Sequence, residues 1–176
     1  MPPPGSDWSN AASCRAARAS DSDTVASVDA PGAEYSVVEL TAEDTHPLRL
    51  AVLRNDTPSR ELHFAEDDLL GTVHLGVSAG GEVVAISTWV PRPYGAEAAV
   101  QMRGMATAAR LRGQGLGGLL LEAGCGRAAL SARLVWARAR DTALEFYVHH
   151  GFTVVGEGFL DEATGKPHHI ITRRLP

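Results

Sequence analysis

Lysine, cysteine and long apolar runs are scarce in this 176-residue chain, and each scarcity excludes a class of protein. Lys166 is the only lysine, and a net charge of -5 argues against a dedicated nucleic-acid binder. Two cysteines, Cys14 and Cys125, give neither a disulfide framework nor a metal-ligand spacing, so we expect a cytoplasmic protein without a metal. No apolar run approaches the roughly 18 residues that a membrane span requires, so no membrane partner is expected.

Residues 1–33 form a separate zone with almost no large apolar side chain besides Trp8. The zone is rich in Pro, Ser and Ala, and it lacks the apolar centre of a signal peptide. Such a segment cannot bury enough surface to offset the entropy lost on ordering. We therefore expect a disordered N-terminal tail over residues 1–33 and one folded domain over residues 34–176.

The stretch from Ala98 to Arg127 carries the strongest local pattern in the chain. Residues 98–107 are predicted to form a strand, and apolar residues at helical spacing predict a helix that begins near Leu116. The turn between them contains Gly113, Gly115 and Gly117. A glycine turn that opens a helix leaves N–H groups unpaired at the positive end of the helix dipole. With Arg110 and Arg112 beside it, this turn is a predicted diphosphate-binding site.

Two familiar phosphate-binding loops fit this turn poorly. A Walker loop needs Gly-Lys-Ser/Thr after its glycines, and that sequence is absent here. The dinucleotide pattern G-x-G-x-x-G is formally met by Gly113, Gly115 and Gly118. However, residues 108–112 intervene after the strand, and too little chain follows for a doubly wound domain. An NADP-binding fragment nevertheless stays open as one interpretation of this turn.

A third kind of loop fits better. Residues 112–117, RGQGLG, resemble the Q/R-x-x-G-x-G/A signature of the GNAT superfamily, the Gcn5-related N-acetyltransferases. Residues 143–152, ALEFYVHHGF, resemble that family's A-x-x-F-Y-x-x-x-G-F segment. Two motifs in this order are far more specific than either alone, and the resemblance covers roughly residues 34–175. It implies an α/β fold with a mixed, mostly antiparallel twisted sheet of six to seven strands, flanked by about four helices.

Hydrophobic patterns predict the elements around these motifs. Strands are predicted over residues 35–40, 72–77, 82–90, 134–137, 152–155 and 168–175. One short helix is predicted to begin near His46 and Pro47, and another to run from Asp141 or Thr142 to His150. Residues 60–70 are a second short helix or a loop. The strand at 134–137 should lie parallel to 98–107, and if the two splay, their backbone groups will need other partners.

The resemblance assigns this gap to the pantetheine arm of acetyl-CoA and the glycine turn to its diphosphate. The residues that it assigns to the cofactor are Met105, Ala106, Thr107, Arg110, Arg112, Gly113, Gln114, Gly115, Leu116, Gly117, Gly118 and Arg140. Many relatives carry Asn at the position of Arg140, so this arginine could instead reach a phosphate or pair with Asp141.

The catalytic residues follow from the chemistry and from the resemblance. Tyr147 matches the family tyrosine beside the CoA sulfur, which implies a general acid or a hydrogen-bond donor to the thiolate; the alternative is packing with Phe146 and Phe152. An attacking amine must lose a proton, so a base is needed. The strand that often supplies a Glu in relatives offers Gln101 and Arg103 here, so His168 and His169 are the candidates.

These observations predict an acetyl-CoA-dependent N-acetyltransferase that acts on a primary amine by direct attack in a ternary complex. Cys125 lies away from the expected thioester, which disfavours a covalent intermediate. The missing strand Glu supports an alternative, a non-catalytic acyl-CoA sensor. Residues 103–105, Arg-Gly-Met, resemble a group of small bacterial GNAT proteins of unassigned substrate. Small amines, peptide N-termini and protein lysines therefore stay open as acceptors, and so does oligomeric state, with a homodimer the commonest soluble assembly.

Overall fold

The computed structural model describes residues 27–30 and 33–176. Most of the predicted tail, with Trp8 and Cys14, lies outside these residues. The part of the tail that is described, Ser27–Ala30, forms a short strand antiparallel to the strand Ala33–Leu40. The sheet therefore begins seven residues before the predicted domain boundary at residue 34.

One twisted sheet forms the centre of the described chain. Its strands are β1 (Ser27–Ala30), β2 (Ala33–Leu40), β3 (Val73–Ala79), β4 (Glu82–Pro91), β5 (Val100–Thr107), β6 (Leu134–Arg140), β7 (Thr153–Asp161) and β8 (Lys166–Arg174). They lie in the order β1-β2-β3-β4-β5-β6-β8-β7, and only β5 and β6 run parallel. The predicted mixed, mostly antiparallel sheet is confirmed, with seven strands within residues 33–176.

Three α-helices flank the sheet in the described part: α1 (Ala42–Leu48), α2 (Leu116–Ala128) and α3 (Leu144–His149). A π-helical turn, Arg49–Leu53, continues α1, and residues 54–72 form an irregular loop without a helix. No helix among the described residues is both long and apolar enough to cross a membrane.

The predicted start of the first helix near His46 and Pro47 was wrong. The helix begins after Thr41. The Thr41 hydroxyl accepts a hydrogen bond from the backbone N–H of Asp44 at 3.3 Å. In return, the Asp44 carboxylate accepts a hydrogen bond from the backbone N–H of Thr41 at 2.9 Å. This capping box satisfies two donors at the helix start, and it outweighs the preference of proline for a first turn. Pro47 lies near the end of α1, directly before the π-helical turn.

The main core lies between the sheet and α2, and it decides which face of each strand is free for a site. Val135, Ala137 and Ala139 of β6 are buried in this core. Because side chains alternate along a strand, Arg138 and Arg140 lie on the opposite face of the sheet. Gly124 allows α2 to approach closely, since a Cβ there would lie 1.8 Å from the Trp89 ring.

Candidate functional site

The parallel strands β5 and β6 separate soon after they meet. They pair only at Val100 with Val135 and at Gln101 with Trp136, whereas β6 continues to pair with β8 as far as Arg140. The predicted splay of these strands is confirmed. From Met102 onward, the edge of β5 that faces β6 lacks a neighbouring strand among the described residues, so its backbone groups are available to a ligand.

A cleft of about 690 Å³ opens at this separation. Its walls come from β5, β6, the 54–72 loop, residues 92–95, the start of α3 and the β7–β8 turn. Polar groups from segments that are distant in sequence therefore meet beside the unpaired edge of β5. A concave site of this size with convergent polar groups is typical of a small-molecule binding site.

The glycine turn lies at the start of α2, and its glycines serve two purposes. Gly113 and Gly115 have φ values of +77° and +80°, which L side chains rarely adopt, and open space surrounds both. Gly117 and Gly118 instead allow close packing against α3: an added Cβ would lie 3.3 Å from Phe146 and 2.7 Å from the His150 ring. The first pair shapes the turn, and the second pair holds the helix start against its neighbour.

The backbone donors of this turn are free, and its side chains are partly engaged. None of the hydrogen bonds among the described residues uses a backbone N–H of residues 113–118. Gln114 accepts a hydrogen bond from the Tyr35 hydroxyl at 3.0 Å, which ties the turn to β2. Arg110 pairs with Glu82 at 2.6 Å, whereas Arg112 is exposed. The turn can accept an anion on its N–H groups with Arg112 nearby.

Tyr147 of α3 lines the cleft next to β5, as the resemblance implies. Its hydroxyl donates to the Met105 sulfur at 3.6 Å, and burial raises the pKa of Tyr147 to about 12. Its ring packs edge-on against Phe146 and Phe152, with centroids 5.1 and 5.6 Å away. The ring is therefore part of the core, and the hydroxyl lies at the cleft wall, while the role of Tyr147 as an acid stays a prediction.

The two candidate histidines occupy different environments. His168 is buried and lines the cleft, whereas His169 is not part of the cleft wall. The Nδ1 of His168 lies 2.9 Å from the Lys166 carbonyl oxygen, which can only accept a hydrogen bond. In a neutral His168 ring the proton is therefore on Nδ1, and Nε2 keeps its lone pair. His169 instead pairs its Nδ1 with Asp141 at 2.8 Å.

Carboxylates of the cleft are held by arginines. Glu66, which the sequence analysis did not single out, pairs with Arg92 at 2.8 Å and also with Arg103. Gln101 is buried in the cleft wall and accepts from Arg92 at 3.3 Å. Only the folding of the 54–72 loop brings Glu66 to the cleft, so no local sequence signal could have revealed it.

A buried ion pair anchors that loop to the sheet. Arg49 and Asp67 are both buried and joined by bonds of 2.5 and 3.0 Å, and Arg49 also donates to the Thr88 hydroxyl at 2.9 Å. Burial raises the pKa of Asp67, but the Arg49 guanidinium and the Phe64 N–H outweigh it, and the net pKa is lowered. No local pattern in the sequence indicated this pair, because 18 residues separate Arg49 from Asp67.

Arg140 does not pair with Asp141, which was one of the two alternatives that the sequence left open for it. Its guanidinium donates to the Leu53 carbonyl at 3.1 Å and lies 3.6 Å from Asp56. Cys125 lies in the core under α2, where burial raises its thiol pKa to about 11, and it is not part of the cleft wall. Within residues 27–30 and 33–176, no group of three or more His, Cys, Asp or Glu side chains is placed to hold a metal ion.

The open strand pair and the glycine turn define the class: an α/β protein with a cleft between two splayed strands and unbonded backbone donors at one helix start. Comparison with known proteins identifies the family. Residues 59–154 match the model of the acetyltransferase (GNAT) domain. Over 139 residues the chain is 32% identical to the uncharacterized N-acetyltransferase YitI of Bacillus subtilis (strain 168), covering 77% of this chain and 92% of that protein. The chain therefore belongs to the GNAT family of acyl-CoA-dependent N-acetyltransferases, as its two motifs predicted.

Solved structures with the same fold include the following two. Escherichia coli ElaA superposes with a TM-score of 0.67 at 18% identity, covering 79% of this chain and 99% of that one. An aminoglycoside 6′-N-acetyltransferase complexed with coenzyme A superposes with a TM-score of 0.63 at 13% identity, covering 80% and 97%. At these identities the likeness concerns the fold, and the predicted fold class is confirmed.

Proposed function

We propose that this protein transfers an acetyl group from acetyl-CoA to a primary amine by direct attack in a ternary complex, and that residues 34–176 form the transferase domain. The observation that carries the proposal is the open edge of β5, which lies next to the Tyr147 hydroxyl and leads to the glycine turn. A groove with this arrangement suits a long cofactor that has amides in its arm and a diphosphate at its far end.

The residues present fit such a cofactor. In our proposal the N–H groups of residues 113–118 bind the diphosphate, with Arg112 adding positive charge. The backbone of Met105, Ala106 and Thr107 binds the amide-bearing arm along β5, where β6 has already separated. Bound acetyl-CoA would supply the acetyl group, and we assign Tyr147 to its thioester sulfur.

The protein must manage two protons in this reaction. An amine with a Lys-like pKa of about 10.4 is neutral in only about one molecule in 2,500 at pH 7, an offset of roughly 4–5 kcal/mol. We assign the removal of this proton to His168, whose Nε2 can accept it. As the C–N bond forms and the C–S bond breaks, Tyr147 would donate a proton or a hydrogen bond to the leaving sulfur.

Direct transfer is supported by the position of the one cysteine among the described residues. A covalent route needs a thiolate at the cleft, but Cys125 is buried in the core and its pKa is raised to about 11. The test of the whole proposal is incubation with acetyl-CoA and a broad amine panel, with release of the CoA thiol as the readout. Tight binding of CoA without thiol release from any amine would refute transfer.

That last result would favour the second candidate, a non-catalytic acyl-CoA sensor. One observation supports it. Both carboxylates of the cleft wall, Glu66 and Asp161, lie beside arginines, so neither is free to accept a proton from the amine. A sensor would keep the diphosphate site and the groove, and replacement of His168 would then leave every measured property unchanged.

Tyr147→Phe tests the assignment of the acid. The ring packing against Phe146 and Phe152 is retained, so the fold and the KM for acetyl-CoA should change little, while kcat falls about 10- to 100-fold. Because the Tyr147 pKa is about 12, deprotonation of this residue should not lower wild-type activity up to about pH 10. Steady-state kinetics across pH check both statements. A kcat within twofold of wild type would assign Tyr147 to packing alone.

A further inference from the structure

The cleft wall is rich in positive charge, although the whole chain is negative. Five arginines line it: Arg54, Arg92, Arg103, Arg138 and Arg140. Only two carboxylates, Glu66 and Asp161, line it with them, while the net charge of the chain is -5. A cleft lined by one sign of charge concentrates ligands of the opposite sign.

The five arginines form two groups with different degrees of neutralisation. Arg92 and Arg103 share Glu66, so their charge is partly balanced. The other three, Arg54, Arg138 and Arg140, lie where β5 and β6 separate, and we call them the splay arginines. Two of them are positioned by main-chain carbonyls: Arg54 donates to Glu61 at 2.8 Å and Arg140 donates to Leu53 at 3.1 Å.

The carboxylates nearest to the splay arginines form only loose ion pairs with them. One oxygen of Asp161 lies 3.7 Å from Arg138, and its other oxygen accepts two bonds of 3.0 Å from Thr164 in the β7–β8 turn. Asp56 lies 3.6 Å from Arg140 and 3.3 Å from Lys166. None of the hydrogen bonds among the described residues joins a splay arginine to a carboxylate. These guanidiniums therefore keep donors available for an anionic ligand.

Repulsion between the splay arginines raises the free energy of the empty cleft, and an anionic ligand would lower it. The pKa of Arg54 is lowered, first by burial and then by the nearby charges of Arg140 and Arg49. Like charges that are held together in a cleft, with only loose ion pairs to neutralise them, are typical of a site that binds the opposite charge.

The cofactor diphosphate does not account for these charges. Arg138 and Arg140 lie on the face of the sheet opposite to α2, because their neighbours Ala137 and Ala139 are buried against the α2 side. The diphosphate-binding site that we propose at the start of α2 has two other arginines beside it, Arg110 and Arg112. An anion at the splay arginines would therefore belong to a second ligand, on the side of the sheet where His168 lines the cleft.

We propose that the acceptor is an amine that also carries an anionic oxygen group, a carboxylate or a phosphate, and that Arg138 with Arg54 and Arg140 binds this group. The inference rests on the proposed function, since it names the acceptor class for the same cleft. A planar guanidinium can donate two parallel hydrogen bonds to such a group, which both holds and orients the molecule. The amine is then directed toward the strand opening and His168.

Matched pairs of probes test the charge requirement. In the first series, each L-amino acid is compared with its carboxamide, which measures the preference for a carboxylate. In the second series, O-phosphoethanolamine is compared with ethanolamine, which measures the preference for a phosphate. Binding is measured by calorimetry on the CoA-saturated protein, and transfer is measured by thiol release with acetyl-CoA. In at least one series the anionic member should bind about 10- to 100-fold more tightly. Equal or better binding of the neutral members in both series would overturn the inference.

Two variants locate the recognition. Arg138→Gln should reduce the preference for the anionic member at least fivefold and leave CoA affinity unchanged. Arg127→Gln is the matched control, because Arg127 is an exposed arginine on α2, outside the cleft wall, and its loss should leave the preference unchanged. An undiminished preference in Arg138→Gln would contradict the assignment to the splay arginines.

The two proposals fail in different ways. If anionic probes bind preferentially but no thiol is released with any of them, transfer is refuted and the anion site stands. If thiol is released equally well with neutral and anionic amines, transfer stands and the anion site is refuted.

Discussion

The two ends of the binding region that we propose are built by different means. The end that we assign to the cofactor is made of backbone: a glycine turn and a helix start whose N–H groups make no hydrogen bond among the described residues within residues 113–118. The end that we assign to the acceptor is made of side chains from segments that are far apart, including the 54–72 loop, β5, β6 and β8. The first end is specified by a few consecutive residues, whereas the second exists only when the whole sheet and its loop have folded.

This difference implies that the acceptor end can change in sequence while the cofactor end is kept. Backbone donors need only the correct φ values, so many sequences around the glycines can supply them. Side chains on the acceptor side can be exchanged without disturbing the turn. The following changes should affect one end and spare the other.

The largest effect is expected from Asp67→Asn, which breaks the ion pair that anchors the acceptor-side loop. It leaves the buried Arg49 charge without its partner, so the free energy of unfolding should fall by about 3–5 kcal/mol. The adjacent Asp68→Asn is the control, because the Asp68 side chain is 78% exposed. Denaturant titration gives the stability, and acceptor KM should rise while CoA affinity at low temperature stays unchanged. An equal loss of CoA affinity would break the distinction between the two ends.

The same pair predicts a pH dependence. Because the pKa of Asp67 is lowered in the folded state, its contribution is fully present above the unfolded value of about 3.9 and is lost as the pH falls through the folded pKa. The stability advantage of the wild type over Asp67→Asn should therefore shrink below about pH 4. Thermal unfolding at pH 3 and pH 7 measures it, and an advantage that is the same at both would exclude a charged Asp67.

The next largest effect concerns the two histidines. His168→Gln should lower kcat/KM about 100-fold at pH 7, because a general base contributes roughly 10²- to 10⁴-fold. His169→Gln is the matched variant on the adjacent residue, which pairs with Asp141 away from the cleft wall, and its rate should stay within about threefold. Steady-state kinetics at saturating acetyl-CoA give both values. A larger loss in His169→Gln would reverse the assignment.

A smaller effect should follow from Gly115→Ala at the cofactor end. Alanine at a φ of +80° costs about 1–2 kcal/mol, which should weaken CoA binding about 5- to 30-fold by distorting the turn. Gly126→Ala in the same helix meets open space, so CoA affinity should be unchanged and stability should rise by up to about 1 kcal/mol. Calorimetry with CoA compares them. Unchanged affinity in Gly115→Ala would remove the turn from cofactor binding.

The smallest effect should come from Tyr35→Phe, which removes the hydrogen bond to Gln114. The loss of about 1 kcal/mol of support should weaken CoA binding by up to about fivefold and leave acceptor KM unchanged. Tyr94→Phe is a control on the acceptor side, since its hydroxyl has no hydrogen-bond partner among the described residues. If Tyr94→Phe also weakened CoA binding, the two ends would not be independent.

Local patterns predicted much of the fold. The strands from β2 to β8 are where alternation and turn residues indicated, and the crossover helix correctly implied that β5 and β6 run parallel. The start of α1 was misplaced because two helix-start patterns compete in the sequence, a capping box at Thr41 and Asp44 and a first-turn proline at Pro47. Only the hydrogen bonds of the structure show that the helix begins at the capping box. Strand alternation separates His168 from His169, but the sheet order decides which of them lies at the cleft.

The sequence by itself determined the glycine turn, the order of strands and helices along the chain, and the family. Each of these depends on short patterns of residues that are near one another in the sequence. The tertiary structure alone decided the acceptor end: the pairing of Arg49 with Asp67, the position of Glu66, and the meeting of Arg54 with Arg138 and Arg140. Backbone donors are oriented by local φ angles, whereas charged side chains from distant segments acquire their neighbours only when the sheet, its loop and its splayed strands have packed.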